Sequence, residues 1–354
     1  MKPEPSVASH PDTPIRQGIA YGVQAPNPHN TQAWKLSLVS DTEALLAIDE
    51  RRLLPATDPP ARQIHIGAGC FIETLAVGMS THGYATHVDY LPEGAYGLDE
   101  IGRKPVARIE LRQSASARPD TLAPFIGRRQ SNRKVYTGPP PTTREAADIV
   151  ARTQTEHVDV VVLDRPEEMK PLQDIFQQAM EIEVMTRHLY EETRIWFRFS
   201  EEQRQTERDG LSAPQVGIDG LKRRIVEWSL RNGDPKRWFS PRSIGPMLKD
   251  YRRAIDSATG LVLLKTAGND QLSWLRTGRS FARFQLALTS HGFTSHPYSQ
   301  VLQEYPEMSG LQAEFNDLLG VHEPAKVQMA VRIGRADRAY TAPRRRPEDL
   351  VVTG

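Results

Sequence analysis

Apolar residues at positions 64, 68, 71, 72, 75, 76 and 79 fall on one face of a helix, so IHIGAGCFIETLAVGMSTHGY predicts a long buried helix. Alternation and β-branched content predict strands instead at WKLSLV (34–39) and ALLAID (44–49). The turn signal Ser40-Asp41 between them makes a hairpin. HVDYL (87–91), VARIEL (106–111), VDVVVLD (158–164), GLVLLKT (260–266) and VQMAVRIGR read as further strands. PIRQGIAYGVQ predicts a short helix, as do residues 142–153 and the stretch containing WLRTGRSFARFQLALTSHGF, while about 167–202 reads as one long helix. Residues 203–257 are polar and basic with isolated Trp228 and Trp238 and no clean period, the pattern of an insertion or lid. The first 13 residues read as a disordered polar leader, and RQSASARPD as a linker that sets a boundary near residue 120.

The pattern occurs twice. Gly69, His82, Gly83, Tyr84 and His87 match Gly278, His291, Gly292, Phe293 and His296 at a constant offset of 209. A β-rich run precedes each helix, ALLAID and LVLLKT, and another follows, VARIEL and MAVRIG. Two amphipathic helices with glycine caps would give part of this match by chance. The matching order of flanking strands favours duplication of a half. The division expected is 14–120 and 121–354, the second part carrying the 203–257 insertion.

Composition narrows the partners. Lys plus Arg (45) nearly balances Asp plus Glu (44), so no global field invites nucleic acid or an anionic membrane, and any anion site must be local. No apolar run is long enough to span a bilayer. Cys70 is the only cysteine, which excludes an internal disulfide and a multi-cysteine metal site and fits a reducing, cytoplasmic setting. The histidines recur at helix ends without an accompanying HxxxH or carboxylate pattern, so no metal is expected.

Two polar clusters stand out. Arg128, Arg129, Ser131 and Arg133 put three guanidiniums and a hydroxyl within six residues, enough to hold a dianion through charge-assisted hydrogen bonds of roughly 1.5–3 kcal/mol each. Taken alone, the cluster is equally a solvated basic turn. APNPHNTQAW (25–34) crowds Asn27, His29, Asn30, Thr31 and Gln32 between Pro26, Pro28 and a strand. The prolines reduce the unfolded chain's freedom, which suits a loop held in one shape to read the edge of a flat polar ligand. An Asx-turn capping the strand is the plain alternative. IHIGAG is no dinucleotide fingerprint, because the third glycine position is Ile72. Neither a GxSxG elbow nor a P-loop is present.

With APNPHNTQAW, DPPARQIHIGAG, RRQSNRKVY, SHPYSQ and PRRRPEDLVV in this order, the chain resembles the nitroreductase-like superfamily of FMN-dependent oxidoreductases, and within it the Acg-like branch with two half-domains in one polypeptide. The resemblance spans roughly 20–352, apart from 203–257. It implies an α+β fold with mixed or antiparallel sheets flanked by helices, an internally duplicated pseudo-dimer. It also implies one FMN site made from both halves, since the first half carries the Asn loop and the second the arginine cluster. By the same resemblance Arg129, Ser131 and Arg133 would meet the phosphate, pyrimidine edge or ribityl chain, flanked by Arg128, with Arg344 and Arg345 near the phosphate. Asn27, Pro28, His29 and Asn30 would reach the ring from the opposite half, supported by Gln32. Ser295, His296 and Pro297 would pass near flavin N5, while their first-half equivalents at 85–88 face no cofactor. Ala33 stands where the family's NTQPW form has proline, which removes no ligand.

The activity so implied is hydride transfer through the flavin to or from a small organic substrate in a ping-pong scheme, with NAD(P)H a candidate donor and His29 and His296 candidate proton donors. A flavin-binding or sequestering protein with a lid and little turnover is the second class, and a non-flavin interaction protein the third. Whether the chain is a pseudo-dimeric monomer or a homodimer is left open, as is the substrate.

Overall fold

The computed structural model describes residues 13–153, 157–218, 220–232 and 240–352. Helix α1 (Pro14–Gly22) leads through the APNPHNTQAW loop into strands β1 (Trp34–Ser40) and β2 (Glu43–Ile48). Helix α2 (Arg62–Ser80) and strands β3 (Tyr84–Tyr90) and β4 (Ala107–Gln113) complete the first unit. The second opens with helix α3 (Thr143–Thr153) and strand β5 (Asp159–Leu163), then α4 (Pro166–Met185) and α5 (Arg187–Ile195). The insertion follows as β6 (Phe197–Arg198), α6 (Glu201–Glu207), β7 (Leu211–Ser212), α7 (Gly220–Asn232) and α8 (Pro241–Asp256). Strand β8 (Gly260–Thr266), helix α9 (Gln271–Ser290), strand β9 (Thr294–Pro297), helix α10 (Ser309–Leu319) and strand β10 (Lys326–Gly334) end the unit.

The two four-stranded sheets have the same order, β1-β2-β4-β3 and β5-β8-β10-β9, with every neighbouring pair antiparallel. Between them α2 and α9 cross at the two matched glycines. A Cβ on Gly69 would sit 2.0 Å from the Leu275 carbonyl oxygen, and one on Gly278 would sit 2.0 Å from that of Ile66. Ile66 and Leu275 are themselves separated by the repeat offset, so the crossing is a pseudo-two-fold contact. The Cys70 thiol donates to Gly278 O across it at 3.1 Å, which is where the lone cysteine goes. One hydrophobic core, with Ile64, Phe71 and Leu75 from α2 and Phe281, Phe284 and Leu288 from α9, runs through both units.

Two expectations change. The long helix near 167–202 breaks at Thr186, which is extended (φ −93°, ψ 109°). A tertiary demand wins over helix period here: the Glu192 carboxylate on α5 accepts from Ala56 N (2.8 Å), Thr57 N (2.9 Å) and Thr57 Oγ1 (2.6 Å). The insertion is helical rather than irregular, and α8 packs against α4, with Gln173 on α4 donating to Ile255 O of α8 at 3.3 Å. Trp228 lies exposed on α7, whereas Trp238, the basic group at 235–237 and the leader through residue 12 lie outside the described residues. The C-terminal segment returns to the first sheet, where Val352 N donates to Leu36 O at 2.9 Å and Val351 bridges Leu36 in parallel. Among the described residues, no helix is long and apolar enough to cross a membrane.

Candidate functional site

The loop before β1 holds three non-glycine residues in the left-handed region: His29 (φ 47°), Asn30 (φ 54°) and Gln32 (φ 50°). Such positions cost on the order of 1 kcal/mol or more each and persist only where neighbours over-determine them. Several do so here. Asn27 Oδ1 accepts from Gln32 N at 2.8 Å, five residues on, and Arg52 Nη1 donates to Thr31 O at 2.9 Å. Trp34 Nε1 donates to Gly67 O at 3.2 Å, and Asn27 and Pro28 lie against Gly67, where a Cβ would come within 3.3 Å of each. Arg345 adds a clamp from the far end of the chain. Its N–H donates to Gln32 Oε1 (2.7 Å) and its Nη1 to Gln32 O (3.0 Å).

The arginine loop is laid along β9. Ser131 bridges Ser295 in parallel, and Asn132 N donates to Ser295 O at 2.9 Å. The neighbouring strand β10 sets His296 opposite Arg332 and Pro297 opposite Val331. Arg129 Nη1 donates to Gln285 Oε1 (2.9 Å) and Nη2 to Gln24 O (3.2 Å), leaving its buried Nε without a partner among the described residues. Arg133 Nη1 donates to Gln215 O at 3.3 Å, and Arg344 donates to the Asn30 side-chain oxygen. Asn30 returns the contact through Nδ2 to Pro343 O at 3.2 Å. The Asn loop of the first unit, the arginine loop of the second and the C-terminal segment therefore meet at one place.

Three cations at this junction lack a counter-charge among the described residues. Among the described residues, Arg129, Arg133 and Arg344 have neutral oxygens as partners and no carboxylate. Burial lowers the Arg129 guanidinium to about 10. Burial, then Arg129 beside it, lowers Arg344 to about 9, and burial lowers Arg133 as well. Burying cations without counter-charge is unfavourable, so the cluster is built for an anion that arrives from solution. His29 is held down to about 4 by burial and by Arg133, and His296 well below its ordinary value by burial, Arg133 and Arg332. Both are neutral imidazoles near pH 7, and the Nδ1 of each lacks a partner among the described residues.

Two residues flagged by the motif stand apart. Arg128 is exposed, its guanidinium 5.3 Å from the Phe125 ring centroid. Arg345 points its head at main-chain oxygens, including Asp349 O at 2.7 Å, and braces the Asn loop rather than the anion position. Sequence reasoning missed Gln285, whose Nε2 also donates to Ser295 Oγ at 3.3 Å; a glutamine inside the apolar run FARFQLAL was the available signal. It also missed which part of the insertion matters. Gly210 N donates to Asn30 O (3.2 Å), Gln32 Nε2 to Arg208 O (2.9 Å) and Arg208 Nε to Arg344 O (2.7 Å). Asp209, buried, accepts from Arg52 (2.7 Å) and Arg198 (2.6 Å), tying residues 208–210 to the Asn loop. Leu211, Ser212 and Ala213 are buried beyond it.

The pseudo-symmetric side is built differently. Arg129 donates to the carbonyl of Gln24 just past α1, and on the other side Arg283 Nε donates to Arg152 O near the end of α3, at 2.9 Å. There, however, carboxylates are present. Glu73, 4% exposed at its side chain, pairs with Arg279 (2.5 Å) and Arg283 (3.0 Å), Asp120 also takes Arg283 (2.8 Å), and Arg279 Nη1 bonds the Tyr90 hydroxyl (2.7 Å). The charge is closed internally.

No family model matches the chain. It is 24% identical over 347 residues to the provisionally named NAD(P)H nitroreductase Rv3131 of Mycobacterium tuberculosis H37Rv, covering 95% of this chain and 90% of the relative. It is 30% identical over 78 residues to the provisionally named NAD(P)H nitroreductase acg of the same organism, covering 22% of this chain and 23% of the relative. Among solved structures, an FMN and NADPH-dependent nitroreductase NfnB from Sphigopyxis sp. strain HMH aligns with a TM-score of 0.41 and 17% identity over 66% of this chain and 99% of that one. NfnB from Mycobacterium smegmatis, solved with NADPH, gives 0.36 and 16% over 61% and 88%. Over nearly its whole length, then, the chain is similar to a mycobacterial protein bearing an NAD(P)H nitroreductase name, in agreement with the family resemblance of its motifs.

Proposed function

We propose that the chain is an FMN-dependent oxidoreductase of the nitroreductase type with one composite cofactor site per polypeptide, assembled between units 14–120 and 121–354. The observation that carries this reading is the pair Arg129 and Arg344, brought beside each other by distant segments, with Arg133 beside His29 and His296, none of the three with a carboxylate partner among the described residues. The Arg129 Nε and the Nδ1 atoms of His29 and His296, without partners among the described residues, fit the same ligand: a charged end beside the arginines and a polar ring edge beside the imidazoles. Ser131, Ser295, Asn27 and Asn30 supply neutral groups on the two sides. The bound flavin would supply the hydride chemistry. The protein's share is to neutralise phosphate, hold the ring through the strained loop, and exclude water with residues 208–215. Neutral His29 or His296 can donate one N–H hydrogen bond; neither is a ready acid at neutral pH.

The substrate is a small organic oxidant, and NADH or NADPH the reductant by analogy with the names of the relatives. The balanced Arg283–Glu73–Arg279 side, already neutralised, supports one site rather than two, so a second chain is not needed to complete it. The single buried thiol suits a reducing cytoplasm.

Titrating apoprotein with FMN under absorbance detection tests the site: one equivalent per chain is expected, and none for Arg129→Ala. Two equivalents, or unchanged binding by Arg129→Ala, would refute the composite site. Anaerobic mixing with NADH or NADPH tests turnover by bleaching of the flavin's visible band. A second reading, flavin storage with little turnover, is favoured by one feature: the Asp209 pairs that tie 208–210 across the Asn loop. Flavin that binds stoichiometrically yet is bleached by neither nicotinamide would select it.

A further inference from the structure

Arg332 lies near the C-terminal end of β10, fully buried, and takes no carboxylate among the described residues. Its Nη1 donates to Ala254 O at 2.6 Å and Ser257 Oγ at 3.2 Å; its Nη2 donates to Asn132 O at 3.3 Å and Lys134 O at 2.8 Å. The last two carbonyls flank Arg133 in sequence, so one guanidinium grips the arginine loop on both sides of the residue it presents. The plane is covered by Tyr136, whose ring centroid is 3.7 Å away and whose hydroxyl also donates to Asn132 O at 2.8 Å. Nε lacks a partner among the described residues.

The duplication supplies an internal control. In the first sheet the strand residue opposite His87 is Glu110; in the second, the residue opposite the matching His296 is Arg332. Two sheets of the same order thus carry opposite charges at the equivalent position, so the strand pairing itself does not require a buried cation. A buried arginine with only neutral partners is unfavourable unless something rewards its charge. The side with the uncompensated arginine trio has it, and the side with internal carboxylates does not.

We propose that Arg332 is a positioning residue of the anion site: its fork fixes the backbone on either side of Arg133, and its uncompensated charge adds to the field that selects a phosphorylated ligand. This rests on the flavin reading above. Neutral oxygens around a guanidinium leave its field largely unscreened in a low-dielectric setting, so its charge adds to that of Arg133 beside it.

The test compares FMN with riboflavin, which lacks the phosphate, on the full chain. Wild type should favour FMN. Arg332→Gln keeps donors for the loop carbonyls but no charge, and should lose roughly tenfold of that preference while riboflavin affinity holds, the size expected of one charge acting at several ångströms. Arg332→Lys keeps the charge and loses the fork; it should retain more of the preference than Arg332→Gln. An unchanged FMN-to-riboflavin ratio in Arg332→Gln, equal losses in both variants, or an Arg332→Gln chain that does not fold would each overturn the proposal. A wild type that binds neither flavin overturns the flavin reading itself, an outcome separate from any of these.

Discussion

His29 shows how one residue can report the electrostatics of the whole site. Its imidazole is withdrawn from water beside Arg133, and these two causes hold its proton affinity down to about 4, against 6.5 ordinarily. The unfolded chain therefore binds a proton between those values that the folded chain refuses. Stability contributed by this group is present above pH 6.5 and lost as pH falls towards 4. In apoprotein, stability measured by unfolding across that window should fall less steeply for His29→Asn than for wild type, a difference of roughly 3 kcal/mol at the acid end. Asparagine tolerates the left-handed backbone that position 29 adopts, so the variant isolates titration from strain. Equal slopes would show that His29 is better solvated than its contacts imply. At this scale the sequence was informative about chemistry and silent about conformation. The crowd of hydrogen-bonding residues in APNPHNTQAW was visible, but nothing in it announced left-handed backbone at His29, Asn30 and Gln32. Those angles are imposed by Gln32's contacts with Arg208 and Arg345, 176 and 313 residues away.

Elements show a similar split. The repeat alone places Gly69 and Gly278 at matching helix positions, because close helix approach leaves glycine in the sequence and one cofactor-free explanation covers both. A methyl group at either would meet a backbone oxygen at 2.0 Å, which no side-chain rotation relieves. Gly69→Ala should therefore cost about 3 kcal/mol or more, at the upper end of overpacking effects, and Gly278→Ala a similar amount. Chemical denaturation measures it; a loss below about 1 kcal/mol would mean the crossing relaxes easily. By contrast, Gly127→Ala, with open space around it, should be mild. Local pattern failed where distant partners decide. The break at Thr186 follows from Glu192 capping the 56–57 backbone, whereas α8 is strongly amphipathic and its period was there to be read. The resemblance did assign the basic C-terminal residues to the site, but it could not separate Arg344, which faces the Asn loop's side chains, from Arg345, which grips its backbone.

At the scale of the molecule, duplication gives two sides that share a frame and differ in charge accounting. On one, Arg129 has neutral partners and an Nε left over; on the other, Arg283 and Arg279 are neutralised by Glu73 and Asp120. The same kind of deletion should then act with opposite sign. Glu73→Ala leaves the partly buried Arg279 without a carboxylate and Arg283 with Asp120 alone, and breaking a buried pair from one side costs about 3–5 kcal/mol. It should lower the apoprotein's thermal midpoint strongly and leave one FMN per chain. Arg129→Ala removes an uncompensated cation and relieves its repulsion of Arg344, so the apoprotein should be as stable as wild type or more so while FMN binding is lost. Calorimetry of both variants, each without and with excess FMN, gives the four values needed. If Arg129→Ala destabilised the apoprotein as much as Glu73→Ala, Arg129 would be a structural cation like Arg283. The asymmetry between the two sides would then have nothing to do with a ligand.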